Sequence, residues 1–209
     1  MKVPKFVARG SEKMWSRGLI TVVATMIMLQ FYSLANRTFE HKIDLLLPID
    51  EMIPFIPWTV FVYQSLYIMV LVGAMLCPPR DFIRIMGALI VTECIAFCFF
   101  AAFTSYYPRP DPASIASPFW QDVYHFLHST DNPGNTFPSI HATMAYLIGW
   151  RMRVVTGSWT WVLWGICVSL TTMTTKQHYI VDVLAAIPLA YIVNRLLFRS
   201  LDQERTAAA

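Results

Sequence analysis

The chain has 209 residues, of which 56% are hydrophobic and only 14% are charged. Water-soluble domains carry roughly 25% charged residues, so this composition excludes an ordinary soluble domain and indicates an integral membrane protein. The formal net charge of +3 says little by itself, because the location of each charge matters more in a membrane protein. Nothing in it indicates a nucleic-acid partner.

Six apolar segments follow one another along the chain. They predict an all-α, polytopic membrane protein in which six transmembrane helices form one bundle. The first segment has no convincing cleavage site after it and is expected to be retained as a helix. The fourth is interrupted by Arg151 and Arg153, whose side chains are expected to reach the membrane surface. The segments cover residues 18–36, 58–77, 83–105, 139–154, 159–175 and 179–198.

Lysine and arginine are distributed unevenly between the two sides of this predicted bundle. Twelve of the sixteen fall on the side that holds both termini, whereas Arg37, Lys42, Arg109 and Lys176 fall on the other side. The positive-inside rule therefore places both termini in the cytoplasm. The predicted division is a basic cytoplasmic N-terminus (1–17), a six-helix membrane catalytic domain (18–198) and a cytoplasmic tail (199–209).

Two longer connections lie on the predicted extracytoplasmic side. Between the first and second helices, residues 38–57 mix acidic side chains with leucine, isoleucine and proline, which predicts an amphipathic segment lying along the membrane interface. Residues 105–138 are the richest in polar groups, and their prolines and glycine argue against one continuous helix. The roles of His125 and His128 in this connection, and of Glu93 within the third apolar segment, stay open.

Two histidines stand where polar connections enter apolar segments. His178 is followed four residues later by Asp182, and positions i and i+4 lie on one face of a helix, so the carboxylate can hold the imidazole one turn away. That arrangement activates a histidine as a nucleophile or as a base. His141 stands at the start of the fourth segment. Ionisable groups at membrane depth are costly, which favours a functional role.

Three short pieces of the chain resemble the three motifs of the type 2 phosphatidic acid phosphatase superfamily. That family contains membrane phosphatases and related lipid phosphotransferases with a six-helix core. Its motifs are Lys, six residues, then Arg-Pro; Pro-Ser-x-His; and Ser-Arg, five residues, His, three residues, Asp. The matching pieces are Tyr107-Pro-Arg-Pro110, Phe137-Pro-Ser-Ile-His-Ala142 and Thr175-Lys-Gln-His-Tyr-Ile-Val-Asp182.

The resemblance spans about residues 58–198 and is uneven. Ala102 stands at the lysine position of the first motif, and Thr171-Thr172 stand where the third motif has Ser-Arg. The chain thus lacks the lysine of the first motif and the arginine of the third, and Lys176 is a candidate to replace one of these two cations. The Lys-Gln-His-Tyr-x-x-Asp form is similar to the branch that contains inositol phosphorylceramide synthases and bacterial relatives, which implies a bacterial inner membrane.

The resemblance implies phosphotransfer on a membrane lipid phosphate at the extracytoplasmic side of the bilayer. His178 is expected to attack phosphorus and form a phosphohistidine, with Asp182 fixing its tautomer. His141 is expected to protonate the leaving oxygen and then to activate water or an alcohol. The expected phosphate ligands are Arg109, Lys176 and Ser139. No metal and no other cofactor is expected.

The leading hypothesis is hydrolysis of a lipid phosphate or diphosphate. The alternative is transfer of a phosphoryl or phospho-headgroup to a lipid or sugar alcohol, as in inositol phosphorylceramide synthases. More remote hypotheses are an intramembrane protease that uses Ser139 and His178, and a lipid transporter. A zinc site would draw on His125, His128, His141 and Asp182, but their spacing matches no regular zinc motif. The lipid and the oligomeric state stay open.

Overall fold

The computed structural model describes residues 13–38 and 42–208. Within these ranges the chain is mostly helical, with two 3₁₀ turns (Pro57–Thr59 and Pro112–Ser114) and one parallel pair of two-residue strands, β1 (Ile43–Asp44) and β2 (Ser105–Tyr106). The helices are α1 (Met14–Thr38), α2 (Pro48–Glu51), α3 (Val60–Leu76), α4 (Pro79–Ala102), α5 (Pro118–Thr130), α6 (Ile140–Thr156), α7 (Thr160–Thr174) and α8 (Ile180–Ala208).

Each of the six predicted apolar segments forms a helix, so the all-α class is confirmed. Among the described residues, four helices are long and apolar enough to cross a membrane: Met14–Thr38, Pro57–Leu76, Pro79–Ala102 and Ile180–Ala207. Helices α6 and α7 have 17 and 15 residues. At 1.5 Å per residue they span about 26 and about 23 Å, which is shorter than the ~30 Å hydrocarbon core of a bilayer. The six-span arrangement therefore stays a prediction.

Helix α6 packs against four other helices of the bundle, α3, α4, α7 and α8. Its contact with α7 brings the two backbones together. A Cβ atom at Gly149 would lie 2.8 Å from the carbonyl oxygen of Trp161, and one at Gly165 would lie 2.5 Å from the carbonyl oxygen of Ala145. Ala145 and Gly149 are four residues apart, the spacing of small residues at close membrane-helix contacts. This contact fixes the helix that carries His141.

A buried ion cluster joins α4, α6 and α8 at the end of the bundle away from the histidines. Arg151 is fully buried, and its guanidinium donates hydrogen bonds to Asp81 at 2.9 Å and to Asp202 at 2.7 Å. It also lies 4.2 Å from the centre of the Phe198 ring, and Arg205 adds a 2.6 Å bond to Asp81. The expectation that Arg151 reaches the membrane surface is wrong, because two carboxylates neutralise it inside the bundle.

Helix α5 was not predicted from the sequence. It lies inside the connection 105–138, which is not one continuous helix, and it begins with Pro118 at its first position after Ser117. Its apolar side chains recur at helical spacing and pack against the start of α3. The resulting cluster contains Val60, Tyr63, Ile115, Tyr124 and Leu127, with Phe55, Trp120 and Val123 at its border.

The predicted interfacial segment is only partly described, because residues 39–41 lie outside the described ranges. Its described part consists of β1, α2 and irregular backbone up to Pro57. Four of its apolar side chains are exposed: Leu46, Leu47, Ile49 and Met52. Residues 1–12, which form most of the predicted basic N-terminus, also lie outside the described ranges.

Candidate active site

His178 lies in the tight turn that links α7 to α8. The backbone N–H groups of Gln177 and His178 donate to the carbonyl of Thr172, at 3.0 and 3.2 Å. Lys176 adopts a positive φ of 56°, the left-handed conformation that reverses the chain after a helix. The turn therefore holds His178 at the end of α7, two residues before α8 begins at Ile180.

The imidazole of His178 has two acceptors for the same nitrogen. Nδ1 lies 2.9 Å from the carbonyl oxygen of Thr136 and 3.4 Å from Oδ2 of Asp182. A carbonyl oxygen can only accept, so Nδ1 carries a proton, and in the neutral imidazole Nε2 then has the free lone pair. The side chain is 10% exposed, which leaves this nitrogen available to a ligand. Sequence reasoning missed Thr136, because the group involved is a backbone carbonyl.

Asp182 is fully buried in the first turn of α8. Its Oδ2 accepts the N–H of Tyr179 at 2.9 Å, and a carboxylate at a helix N-terminus is stabilised by the helix dipole. Its backbone carbonyl accepts the N–H of Ser139 at 3.2 Å. Asp182 thus contacts His178 with its side chain and the Pro-Ser-x-His segment with its backbone.

His141 is the second residue of α6 and lies among tyrosines. Its ring stacks on Tyr63, with centroids 4.1 Å apart, and meets the edge of Tyr67 at 5.7 Å. The Tyr63 hydroxyl lies 3.4 Å from Nδ1. Nε2 is buried and has no hydrogen-bond partner among the described residues. A buried nitrogen without a partner is costly unless a ligand satisfies it.

Arg109 is almost buried and is already paired. Its guanidinium donates to the carboxylate of Asp131 at 2.7 Å and to the carbonyl of the same residue. The other carboxylate oxygen of Asp131 accepts from Asn36 at 2.7 Å. The Nε–H of Arg109 has no partner within the described ranges. One carboxylate therefore offsets the charge that Arg109 can offer to an anion.

One cavity of about 660 Å³ brings the candidate groups together, with His141, His178 and Arg109 in its wall. Its lining runs along α1 from Tyr32 to Thr25, a length of about 10 Å at 1.5 Å per residue. Apolar side chains of α1, α3 and α4 line this part. The cavity can therefore take an amphipathic molecule, with its polar group at the histidines and an apolar chain between the helices.

Several further polar residues line the cavity and were not predicted as ligands, among them Gln177, Arg37 and Glu93. Gln177 precedes His178 in the turn, and the exposed Arg37 lies at the C-terminal end of α1. Glu93, which is 8% exposed, faces the cavity from α4. Arg37 and Glu93 lie outside the three motifs, so the motifs did not indicate them.

The structure does not bring Ser139 and Lys176 into the cavity wall. Ser139 is fully buried, and its hydroxyl caps α6 by accepting the N–H of Ala142 at 3.2 Å. The Lys176 ammonium donates to the carbonyls of Asp50, at 3.2 Å, and Ile53. Burial lowers the pKa of Lys176, and the nearby Asp50 opposes that shift. Both side chains therefore bind protein groups at the edge of the site.

The other two histidines of the predicted extracytoplasmic loop do not line the cavity. His125 is exposed. Burial, followed by the charges of Arg109 and His125, lowers the pKa of His128 to about 4, so His128 is neutral at physiological pH. Among the residues that the structure describes, no three His, Cys, Asp or Glu side chains are grouped as metal ligands. The hypothetical zinc set is thus not assembled there.

A scan against protein-family models matches residues 39–196 to a family described as the PAP2 superfamily. The matched range covers more than half of the chain and includes every candidate site residue. Searches of curated proteins and of solved structures found no match. The chain therefore belongs to the PAP2 superfamily, the type 2 phosphatidic acid phosphatase superfamily.

Proposed function

We propose that this protein is an integral-membrane lipid phosphatase that cleaves a lipid phosphate or diphosphate at the outer leaflet. Membership of the PAP2 superfamily supports a phosphatase- or phosphotransferase-type enzyme. The observation that carries the finer proposal is the shared cavity, in which two histidines and an arginine stand at the polar end of an apolar channel. That arrangement suits a phosphate head with a hydrocarbon tail.

The first half-reaction transfers the phosphoryl group to His178. Nε2 attacks phosphorus with its lone pair while the bond from phosphorus to the lipid oxygen breaks. His141 gives a proton to that leaving oxygen. The 2.9 Å contact from Nδ1 to the Thr136 carbonyl keeps the tautomer needed for attack, and Asp182 stabilises the positive charge on the phosphorylated imidazole.

The second half-reaction releases the phosphate. A water molecule attacks phosphorus, His141 accepts its proton, and the bond from phosphorus to Nε2 breaks. Inorganic phosphate leaves, and His178 regains its lone pair. His141 thus acts as the acid in the first half-reaction and as the base in the second, while His178 acts first as the nucleophile and then as the leaving group.

Charge on the phosphate oxygens is met chiefly by Arg109, with the exposed Arg37 as a second cation in the cavity wall. Guanidinium groups bind phosphate oxygens with paired hydrogen bonds. Ser139 and Lys176 act on the substrate only through the backbone that they hold. The competing prediction is that Lys176 binds the phosphate directly. Replacing Lys176 would then raise KM, whereas a role in holding the backbone would lower kcat.

The orientation in the membrane follows from the distribution of charge. Arg17 donates to the carbonyls of Ala74 and Met75, and Arg84 donates to that of Leu197. These contacts gather the basic ends of α1, α3, α4 and α8 at the end opposite the cavity. Under the positive-inside rule this basic end is cytoplasmic, with both termini, and the six helices of the bundle span the membrane. The cavity then opens toward the outer leaflet.

The exposed apolar side chains of residues 46–52 fit the membrane interface beside the cavity. They lie at the same end of the molecule as His178, since the carbonyl of Asp50 accepts a hydrogen bond from Lys176 in the turn that carries it. Segments of this kind lie along the headgroup region with their apolar groups in the acyl boundary. Residues 38–57 thus form the interfacial segment, within a single catalytic domain of residues 18–198.

Replacing Asp182 with asparagine is expected to preserve the fold and to lower kcat on the order of 10²-fold. The Thr136 carbonyl still fixes the tautomer, so the loss is smaller than the ~10⁴-fold seen where an asparagine leaves a catalytic histidine in the wrong tautomer. Steady-state rates and thermal unfolding in detergent measure this. Asp122→Asn, which changes an exposed carboxylate of α5, is the matched control. Wild-type activity in Asp182→Asn contradicts its assigned role.

A transferase is the second candidate, and the pairing of Arg109 with Asp131 favours it. A site with less net positive charge suits a monoanionic phosphodiester better than a dianionic monoester. In that reaction a lipid or sugar alcohol replaces water in the second half-reaction.

The discriminating experiment supplies lipid phosphates to the outside of right-side-out vesicles, with and without an alcohol acceptor. Release of inorganic phosphate without an acceptor is expected for the phosphatase, whereas product that forms only with the acceptor indicates the transferase. A chelator is expected to leave the rate unchanged. Strong inhibition by EDTA contradicts the metal-independent mechanism.

A further inference from the structure

The segment 44–59, here named the strap, crosses the turn between α7 and α8. On one side of the catalytic histidine, the N–H of Ile56 donates to the carbonyl of Thr174 at 2.9 Å. On the other side, the hydroxyl of Tyr179 donates to Asp44 at 2.6 Å. The strap thus contacts the turn both before and after the nucleophile.

Asp50 is the central contact of the strap, and it is only 2% exposed. Its Oδ1 accepts the N–H of Ile180 at 2.7 Å, and its Oδ2 accepts the N–H of Leu47 at 2.9 Å. Ile180 is the first residue of α8, and the first N–H groups of a helix have no acceptor within the helix. A carboxylate from the strap therefore caps the helix that carries Asp182.

Lys176 makes the reverse contact, from a side chain of the turn to the backbone of the strap. Its ammonium donates to the carbonyls of Asp50, at 3.2 Å, and Ile53. Its backbone φ of 56° is the left-handed conformation that ends α7, and the backbone bonds of Gln177 and His178 to Thr172 close this turn. The two side-chain bonds of Lys176 join the turn to the strap two residues before His178.

We infer that Asp50 and Lys176 are positioning residues for phosphotransfer. Asp50 fixes the start of α8, and Lys176 fixes the turn, so that the imidazole of His178 faces the cavity with Asp182 behind it. Neither side chain lines the cavity. They act through the turn and the helix, and they affect the rate of attack without binding the phosphate. This inference rests on the proposed function.

Asp50→Asn tests the inference. Asparagine has one side-chain carbonyl oxygen, so only one of the two N–H groups keeps its acceptor, and the amide N–H₂ faces the other donor. The turn then shifts, and kcat is expected to fall on the order of 10²-fold while KM changes less than about twofold. In single-turnover experiments, the rate of phosphoenzyme formation is expected to fall by the same factor as kcat.

Lys176→Met provides the second variant, because it removes the bonds to the strap and leaves the cap on α8 in place. It is expected to lower kcat with little change in KM. If Asp50→Asn fails to fold, Lys176→Met carries the test alone. Glu51→Gln is the matched control, since Glu51 is exposed in α2 beside Asp50 and its replacement is expected to leave both constants unchanged.

The outcomes separate this inference from the proposed function. Wild-type kcat in folded Asp50→Asn and Lys176→Met overturns the inference, and so does a Lys176→Met protein with raised KM and unchanged kcat. In either case the proposed function stands if the wild-type protein forms a phosphohistidine. A wild-type protein that forms none and turns over no lipid phosphate overturns both.

Discussion

Replacing His178 with alanine is expected to abolish turnover of every lipid phosphate that the wild-type protein accepts. The imidazole supplies the attacking lone pair, and among the described residues that line the cavity the other histidine is His141. The Nε2 of His141 is buried against tyrosines, and in the proposed mechanism it serves the leaving group. Loss of a nucleophile typically removes all but the contribution of binding and electrostatics, so a reduction on the order of 10⁴-fold or more is expected.

The measurement is the steady-state rate in detergent or vesicles, with thermal unfolding to show that the variant is folded. His125→Ala is the matched control, since it makes the same change at an exposed histidine of α5 that does not line the cavity. The control is expected to keep the wild-type rate. Residual activity above a few per cent of wild type in His178→Ala, with the fold intact, removes His178 from the nucleophile position.

Replacing His141 with alanine is expected to have the second largest effect, and the effect should depend on the leaving group. An alkyl lipid oxygen needs a proton to leave, so loss of the general acid lowers kcat for a lipid phosphate on the order of 10² to 10⁴-fold. An aryl phosphate such as p-nitrophenyl phosphate releases a stable phenolate without a proton. The first half-reaction therefore survives with that substrate.

The second half-reaction does not survive in His141→Ala, because no group activates the water molecule. The phosphohistidine is then expected to accumulate, and rapid-mixing experiments with p-nitrophenyl phosphate should show a stoichiometric burst of nitrophenolate before a slow steady state. Acid-labile phosphate on the protein measures the same species. Equal losses with alkyl and aryl substrates, and no burst, would contradict the acid and base role of His141.

Much of the fold was predictable because it follows from apolar runs, although Arg151 and Arg153 interrupt the fourth of them. All six predicted segments are helical, and the three motifs contain Arg109, His141 and His178, which line the cavity. Helix α5 is hard to predict because prolines and a glycine surround it, although Trp120, Val123, Tyr124 and Leu127 recur at helical spacing. A proline at the first position of a helix starts it and does not break it.

The parts of the site that escaped prediction depend on contacts between distant positions. The Thr136 carbonyl sets the tautomer of His178, but every residue has a carbonyl, so no sequence pattern marks this one. Lys176 binds carbonyls that lie 126 and 123 residues earlier in the chain. Its positive charge predicted a phosphate ligand, whereas its neighbours in the fold decide where the ammonium points.

The burial of Arg151 also escaped prediction, because its partners are distant in the sequence. An arginine inside an apolar segment predicts a side chain that reaches the membrane surface. Its partners Asp81 and Asp202 lie 70 and 51 residues away, at the ends of two other helices. Only the packed bundle brings both carboxylates to the guanidinium and makes its burial favourable.

The most direct test of the account is to find where phosphate is attached during turnover. Wild-type protein mixed with a lipid phosphate is quenched in alkali, which preserves phosphohistidine, and is digested with trypsin. Cleavage after Lys176 and Arg195 yields a peptide of residues 177–195 in which His178 is the only histidine. The account predicts that this peptide carries the phosphate and that the signal disappears in His178→Ala. Phosphate attached at another residue, or steady release of product without any phosphorylated peptide, would contradict it.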